Sequence, residues 1–346
     1  MTSRTSRIIS TIVKVGISVV ALVLVLQWVD PAYLVRMIRT IKIPFFLAAV
    51  FAALMVHLFD SWRLSVIFTD SGRMTWFAFV ANLKAAFFYN FSIGSTGQDA
   101  ARIYFFGKQL KSISAAAGGL ALDRIAGLVT QVIFAGVSLL VIWTQRFGSG
   151  SFHIVLAVSL IVFAAVLGGA GVVFFHSARI LQWVQRKIAT VAKDAGDLTE
   201  IFGSFRKNPW RFARVLGISA LLHTAAIIVI MSITWALGGT LSFFEAAIIA
   251  LAVSLASVLP VSLSGWGAVE WIYSFSFQFL DIGKAVGLSV SLVLRLVWAV
   301  PAIIGWILFL QSGMSIGSVL HAFRLRKAGN EPAPVAVQSP GTQSRP

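Results

Sequence analysis

The residues that could do chemistry in this sequence are charges lying inside apolar runs. Lys84, Asp123, Arg124, Glu270 and Arg295 interrupt stretches that are otherwise hydrophobic. A charge at the centre of a bilayer-crossing helix costs ~2.5–3.5 kcal/mol on insertion scales, so such residues face a partner or a cavity. Lys14 and Glu245 lie nearer the ends of their runs, where a long side chain reaches the interface.

Three constellations collect these charges. The first is Gly94-Ser-Thr-Gly97-Gln-Asp99-Ala-Ala-Arg102. Its glycines let the backbone turn, and irregular backbone at membrane depth is tolerated where it lines a cavity or packs on protein. Asp99 and Arg102 stand at i and i+3, so on a helix they share a face and can pair. An ordinary loop carrying a salt bridge has the same pattern.

The second is Asp123-Arg124-Ile-Ala-Gly127-Leu128. Neighbouring residues on a helix point about 100° apart, so Asp123 and Arg124 do not simply neutralise each other. A Lys or Arg from another helix would satisfy Asp123 and leave Arg124 for a phosphate; the other reading is a buried structural ion pair.

The third is Pro260-Val-Ser262-Leu-Ser264-Gly265-Trp-Gly267-Ala-Val-Glu270. Proline and glycines break the run, and a helix restarts near Ala268. A helix N-terminus presents free N–H groups and partial positive charge, which suits an anion. Ser262 and Ser264 would add hydroxyl donors. A tight turn between two spans is the alternative. Glycine-interrupted apolar segments thus occur once in each half, at 76–102 and 244–280, and such a pairing points to a transporter's binding site.

The elements that position these residues follow from composition. The chain has 346 residues, 58% hydrophobic and 12% charged, with mean hydropathy +0.89. A soluble domain carries about 25% charged residues, so the bilayer is the solvent here. The fold class is all-α, a polytopic integral membrane protein. Its apolar runs, each set against the roughly 20 residues of a crossing, give about eight transmembrane helices, at 8–29, 43–59, 114–143, 152–175, 212–237, 244–259, 267–280 and 285–310. A re-entrant or broken helical segment at 76–95 is added to them. The run at 8–29 lacks a small-residue cleavage site and reads as a retained helix.

Charge sets the orientation. The net charge of +16 resides in the connecting segments. With 76–95 as a hairpin, Arg63, Arg73, Arg102, Lys108, Lys111 and the eight basic residues between Arg179 and Arg214 fall on the cytoplasmic side, and only Arg36, Arg39, Lys42, Arg146 and Lys284 fall outside. Both termini are then cytoplasmic, in an inner membrane. Residues 1–327 form one transmembrane domain, with 178–211 as a basic amphipathic loop on the membrane surface, and 328–346 form a disordered tail. Nucleic-acid binding is not needed to explain the basicity. No cysteine is present, which excludes disulfides and thiolate sites. No motif calls for a cofactor or metal.

Together the three constellations resemble the flippase-like family also called the lysylphosphatidylglycerol synthase transmembrane region. The shared segments are G-x-x-G-(D/E)-x-x-R from Gly94 to Arg102, D-R-x-x-G-L from Asp123 to Leu128, and P-x-S-x-x-G-x-G-x-x-E from Pro260 to Glu270. The likeness spans roughly residues 10–315. Ser264 stands where a second glycine is common, and Val269 where an Arg often precedes the Glu. The family's aminoacyl-transfer domain is expected to be missing. The resemblance implies movement of a phospholipid, or an isoprenoid- or hopanoid-type lipid, between leaflets.

On this reading Arg102, Arg124, Arg295, Ser262 and Ser264 contact an anionic headgroup. Asp99, Asp123, Glu270 and Lys84 support them, and Gly94, Gly97, Pro260, Gly265 and Gly267 permit broken backbone. An embedded lipid-modifying transferase, or a scaffold for envelope-synthesis partners, is the competing expectation. The oligomeric state stays open, because small residues such as Gly118 and Gly119 suit contacts within a chain or between chains.

Overall fold

The computed structural model describes residues 36, 39–68, 72–91, 95–147, 203–205, 207–258 and 267–312. These hold eight helices: α1 (Ile43–Phe68), α2 (Gly72–Phe91), α3 (Ser95–Leu110), α4 (Ile113–Phe147), α5 (Pro209–Ala236), α6 (Phe243–Val258), α7 (Ala268–Phe279) and α8 (Lys284–Gln311). No strand occurs among the described residues.

Four of the helices, α1, α4, α5 and α8, are long and apolar enough to cross a membrane. The expected spans at 244–259 and 267–280 are the 16-residue α6 and the 12-residue α7. At 1.5 Å per residue each reaches less than the ~30 Å of hydrocarbon. The hairpin expected at 76–95 is instead one continuous helix as far as Phe91, α2, and α3 begins only at Ser95. The runs at 8–29 and 152–175 lie outside the described residues, as do 328–346 and most of the basic loop 178–211.

Local chemistry explains several of the ends. Ser242 and Glu245 form a capping box at the start of α6. The Ser242 N–H and hydroxyl both donate to Glu245 Oε2, at 2.9 and 2.8 Å, and the Glu245 N–H donates back to Ser242 Oγ at 3.3 Å. Asn208 and Pro209 open α5 in the same spirit, with the Asn208 side chain accepting from the Arg211 N–H. Arg211 also closes the far end of α1, donating to the carbonyls of Val66 and Ile67 at 2.8 and 2.9 Å, where a cation suits the helix C-terminus.

Close approaches set the packing. At Gly305, α8 crosses α2 so tightly that a Cβ would run into the Leu83 carbonyl, and at Gly287 it meets the Tyr273 carbonyl of α7. The apolar core has two parts. One gathers the end of α1 with α2, α3 and the first half of α4. The other gathers the start of α1 with α5, α6, α7 and α8. Helix α1 serves both, through Ala49, Ala52 and Ala53 on one side and Leu64, Val66 and Ile67 on the other. The stretch between these anchors carries His57, Asp60 and Arg63, all buried.

Candidate functional site

Arg63 organises the centre of the molecule. Its Nε donates to Asp123 of α4 at 2.6 Å, Nη1 to the Ser219 hydroxyl of α5 at 3.1 Å, and Nη2 to Asp60 one turn back at 2.9 Å. The other Asp60 oxygen accepts from Arg102 of α3. One planar guanidinium fork thus ties α1 to α4 and α5, and Asp60 adds α3. A second layer rests on this one. The Asn82 amide of α2 donates to Ser61 at 2.9 Å, and Ser61 donates to the His57 carbonyl.

Asp123 and Gly127 of α4 both face Arg63. They lie four residues apart, on one face. A Cβ at Gly127 would sit 3.4 Å from Arg63 Nη1, and the Gly127 carbonyl is 2.9 Å from His223 Nε2. The glycine of D-R-x-x-G-L thus lies against the guanidinium that neutralises its aspartate, where an added Cβ would make an ordinary contact.

Arg124 points elsewhere. Its Nη2 donates to Asp99 of α3 at 2.5 Å, at the edge of the cluster, and the two side chains are 52% and 34% exposed. The inner members Asp60, Arg63, Arg102 and Asp123 are all below 9%. The cluster therefore holds three carboxylates and three guanidiniums, charge-balanced when all are ionised, and Arg124 is the cation at its accessible rim.

A second, smaller site lies on α7 and α8. Gly267 begins α7 at φ 83°, in the left-handed region that glycine tolerates. Its N–H donates to Glu270 Oε2 at 2.7 Å, and Arg295 Nε donates to Glu270 Oε1 at 2.6 Å. Glu270 thus occupies the helix N-terminus expected to receive an anion.

Between the two sites lies a cavity of about 230 Å³, walled by aliphatic side chains and by Gln131, His223, Ser254, Tyr273, Leu294 and Trp298. His223 touches the first site through Gly127. Leu294 and Tyr273 adjoin Arg295 and Glu270. Gln131 spans from α4 to α6, donating to the Ala250 carbonyl at 3.1 Å and to Ser254 Oγ at 2.7 Å.

Several expectations are revised. Asp99 and Arg102 share a helix but take different partners, Arg124 and Asp60. Arg124 is paired with Asp99 rather than left unengaged. Arg63, assigned by charge counting to a loop, is buried inside α1, because that helix continues nine residues past its last strongly apolar stretch, to Phe68. Gly97 sits within the first turn of α3 rather than at a break. Lys84 lies on α2 apart from both clusters, without a side-chain hydrogen bond or ion pair among the described residues; Asn82, two positions earlier, joins the network instead. Gly94, Pro260, Ser262, Ser264 and Gly265 lie outside the described residues.

Asp60, Arg63, His57, Asn82 and Ser219 went unrecognised at the level of sequence. One signal was present: Asp60-Ser-Trp-Arg63 repeats the D-x-x-R spacing of Asp99 and Arg102 at the end of an apolar run. Among the described residues no group of three or more His, Asp or Glu side chains is arranged to hold a metal ion.

No curated protein gives a significant match to this chain, and neither does any solved structure. The family model described as lysylphosphatidylglycerol synthase TM region matches residues 11–305. That stretch contains all eight described helices except the last turns of α8, together with both clusters. A multi-pass helical membrane protein with arginine–carboxylate clusters built around these three motifs, matched over most of its length, belongs to the lysylphosphatidylglycerol synthase TM region family.

Proposed function

We propose that the protein moves a lipid with an anionic headgroup between the leaflets of the inner membrane, with both termini in the cytoplasm. The observation that carries this reading is Arg124. It is a cation at the accessible rim of a charge-balanced, buried cluster, held by a single carboxylate that an incoming phosphate can replace. Guanidinium suits that exchange, since it takes carboxylate and phosphate oxygens in the same bidentate geometry. The inner pairs keep Arg124 and Asp99 in place. Arg295 supplies the corresponding contact at α7, joined on this reading by Ser262 and Ser264 of the segment that precedes it in the sequence. The polar headgroup is then held at these arginines, and the acyl or isoprenoid tails remain in the bilayer. The basic residues between Arg179 and Arg214 favour a cytoplasmic, anionic lipid surface.

The test is reconstitution into liposomes containing a lipid labelled on its headgroup, with a membrane-impermeant quencher added outside. Wild-type protein is expected to let the inner-leaflet probe reach the quencher. Arg124→Ala is expected to insert normally and lose that exchange, and mass spectrometry should find an anionic lipid enriched on wild type but not on the variant. Exchange in wild-type liposomes no faster than in protein-free ones would remove the translocation reading.

A further inference from the structure

A constant step along the chain relates the two halves. Gly72 opens α2 and Phe243 opens α6; Ile113 opens α4 and Lys284 opens α8; both differences, 243 − 72 and 284 − 113, are 171. Asp99 and Glu270 differ by the same 171, as do Arg124 and Arg295, so each carboxylate meets an arginine 25 residues further on. The starts of α1 and α5 follow the step to within five residues, and those of α3 and α7 to within two.

Packing repeats as well. Helix α8 crosses α2 where Gly305 meets the backbone of Leu83. Helix α4 crosses α6 where Gln131 bonds Ser254, and Ser254 stands 171 residues after Leu83. The fourth helix of each unit thus lies on the second helix of the other.

The units run in opposite directions. The Lys42 N–H donates to the Ala236 carbonyl at 2.9 Å, so the start of α1 adjoins the end of α5. At the other end Arg211, opening α5, holds the last carbonyls of α1. Inverted units of this kind place substrate between discontinuous helices near the bilayer midplane.

We infer that the chain is an inverted duplication, and that Asp99–Arg124 and Glu270–Arg295 are one headgroup contact built twice, opened in turn to opposite faces of the membrane; that the ligand is a phosphate-bearing headgroup rests on the translocation reading above. The two pairs differ as this requires. Arg124 and Asp99 are 52% and 34% exposed, whereas Arg295 and Glu270 are 22% and 0%. One contact is open and its counterpart is shut.

The chain has no cysteine, so single cysteines report cleanly. Gln98→Cys and Val269→Cys flank the two carboxylates and are themselves related by the step. In oriented, sealed membranes, a membrane-impermeant maleimide should label them from opposite faces. Glu270→Gln with Arg295→Gln, which opens the shut pair without stranding a charge, should raise labelling at 269 and lower it at 98, each about tenfold. Labelling of both positions from one face overturns the inference, as does a change confined to 269. If the double variant fails to insert, the sidedness of the two single cysteines decides. The liposome assay on the same preparations separates the two readings. Lipid exchange with one-sided labelling removes the duplicated contact and keeps translocation; two-sided, alternating labelling without exchange does the reverse.

Discussion

Arg63 donates to Asp123 at 2.6 Å although sixty residues separate them, and both side chains are buried. This bond joins the first described helix to the fourth and leaves Arg124, the next residue, turned to the rim. The family's D-R pair is therefore two devices: an aspartate that fastens helices and an arginine that faces outward.

The fastening half should be costly to break. Asp123→Ala leaves three guanidiniums against two carboxylates in a largely buried cluster, for which about 3–5 kcal/mol is the expected loss. Arg63→Lys should recover little, because a single ammonium cannot reach Asp123, Asp60 and Ser219 in the fork geometry. Thermal unfolding in mild detergent checks both, with a near-wild-type midpoint for Arg63→Lys counting against the fork.

The outward half should be cheap for stability. Arg124→Ala removes a partly exposed pair at the edge of the cluster and should cost clearly less than Asp123→Ala. Its unfolding midpoint should stay close to wild type while lipid enrichment and exchange fall. A midpoint drop as large as that of Asp123→Ala would make Arg124 structural.

The two carboxylate–arginine pairs should differ in the same assay. Glu270 is fully buried and accepts from both Gly267 and Arg295, so Glu270→Ala removes the α7 cap and leaves a cation without its carboxylate. Its cost should exceed that of Asp99→Ala by about 2 kcal/mol or more. Equal midpoints for the two variants would mean that the second pair opens freely.

Helix contacts make a further contrast. A Cβ at Gly305 would strike the Leu83 carbonyl, whereas at Gly136 it meets nothing within 4 Å. Gly305→Ala should destabilise by about 1–3 kcal/mol. Gly136→Ala should be neutral, or stabilising by up to about 1 kcal/mol, from helix propensity alone. Paired melts of the two alanine variants read the difference directly.

Composition and motif order were enough to point to a polytopic helical membrane protein and to its family, and they singled out Asp99, Asp123, Arg124, Glu270 and Arg295 as charges in apolar runs. The physical reason is the bilayer. It demands long apolar runs, and it makes each retained charge expensive enough to need a partner or a cavity. What that rule leaves undetermined is which partner.

Periodicity assigns Asp99 and Arg102 to one helix face, but only packing between helices sends them to Arg124 and Asp60. Arg63 looked like a loop cation because hydropathy falls at the end of its run; the tertiary structure buries it by supplying carboxylates from α1 and α4 together. The step of 171 residues is present in the sequence, yet few side chains repeat across it. It became visible once helix starts, crossings and ion pairs were placed in space, because the two units preserve geometry where their residues have diverged.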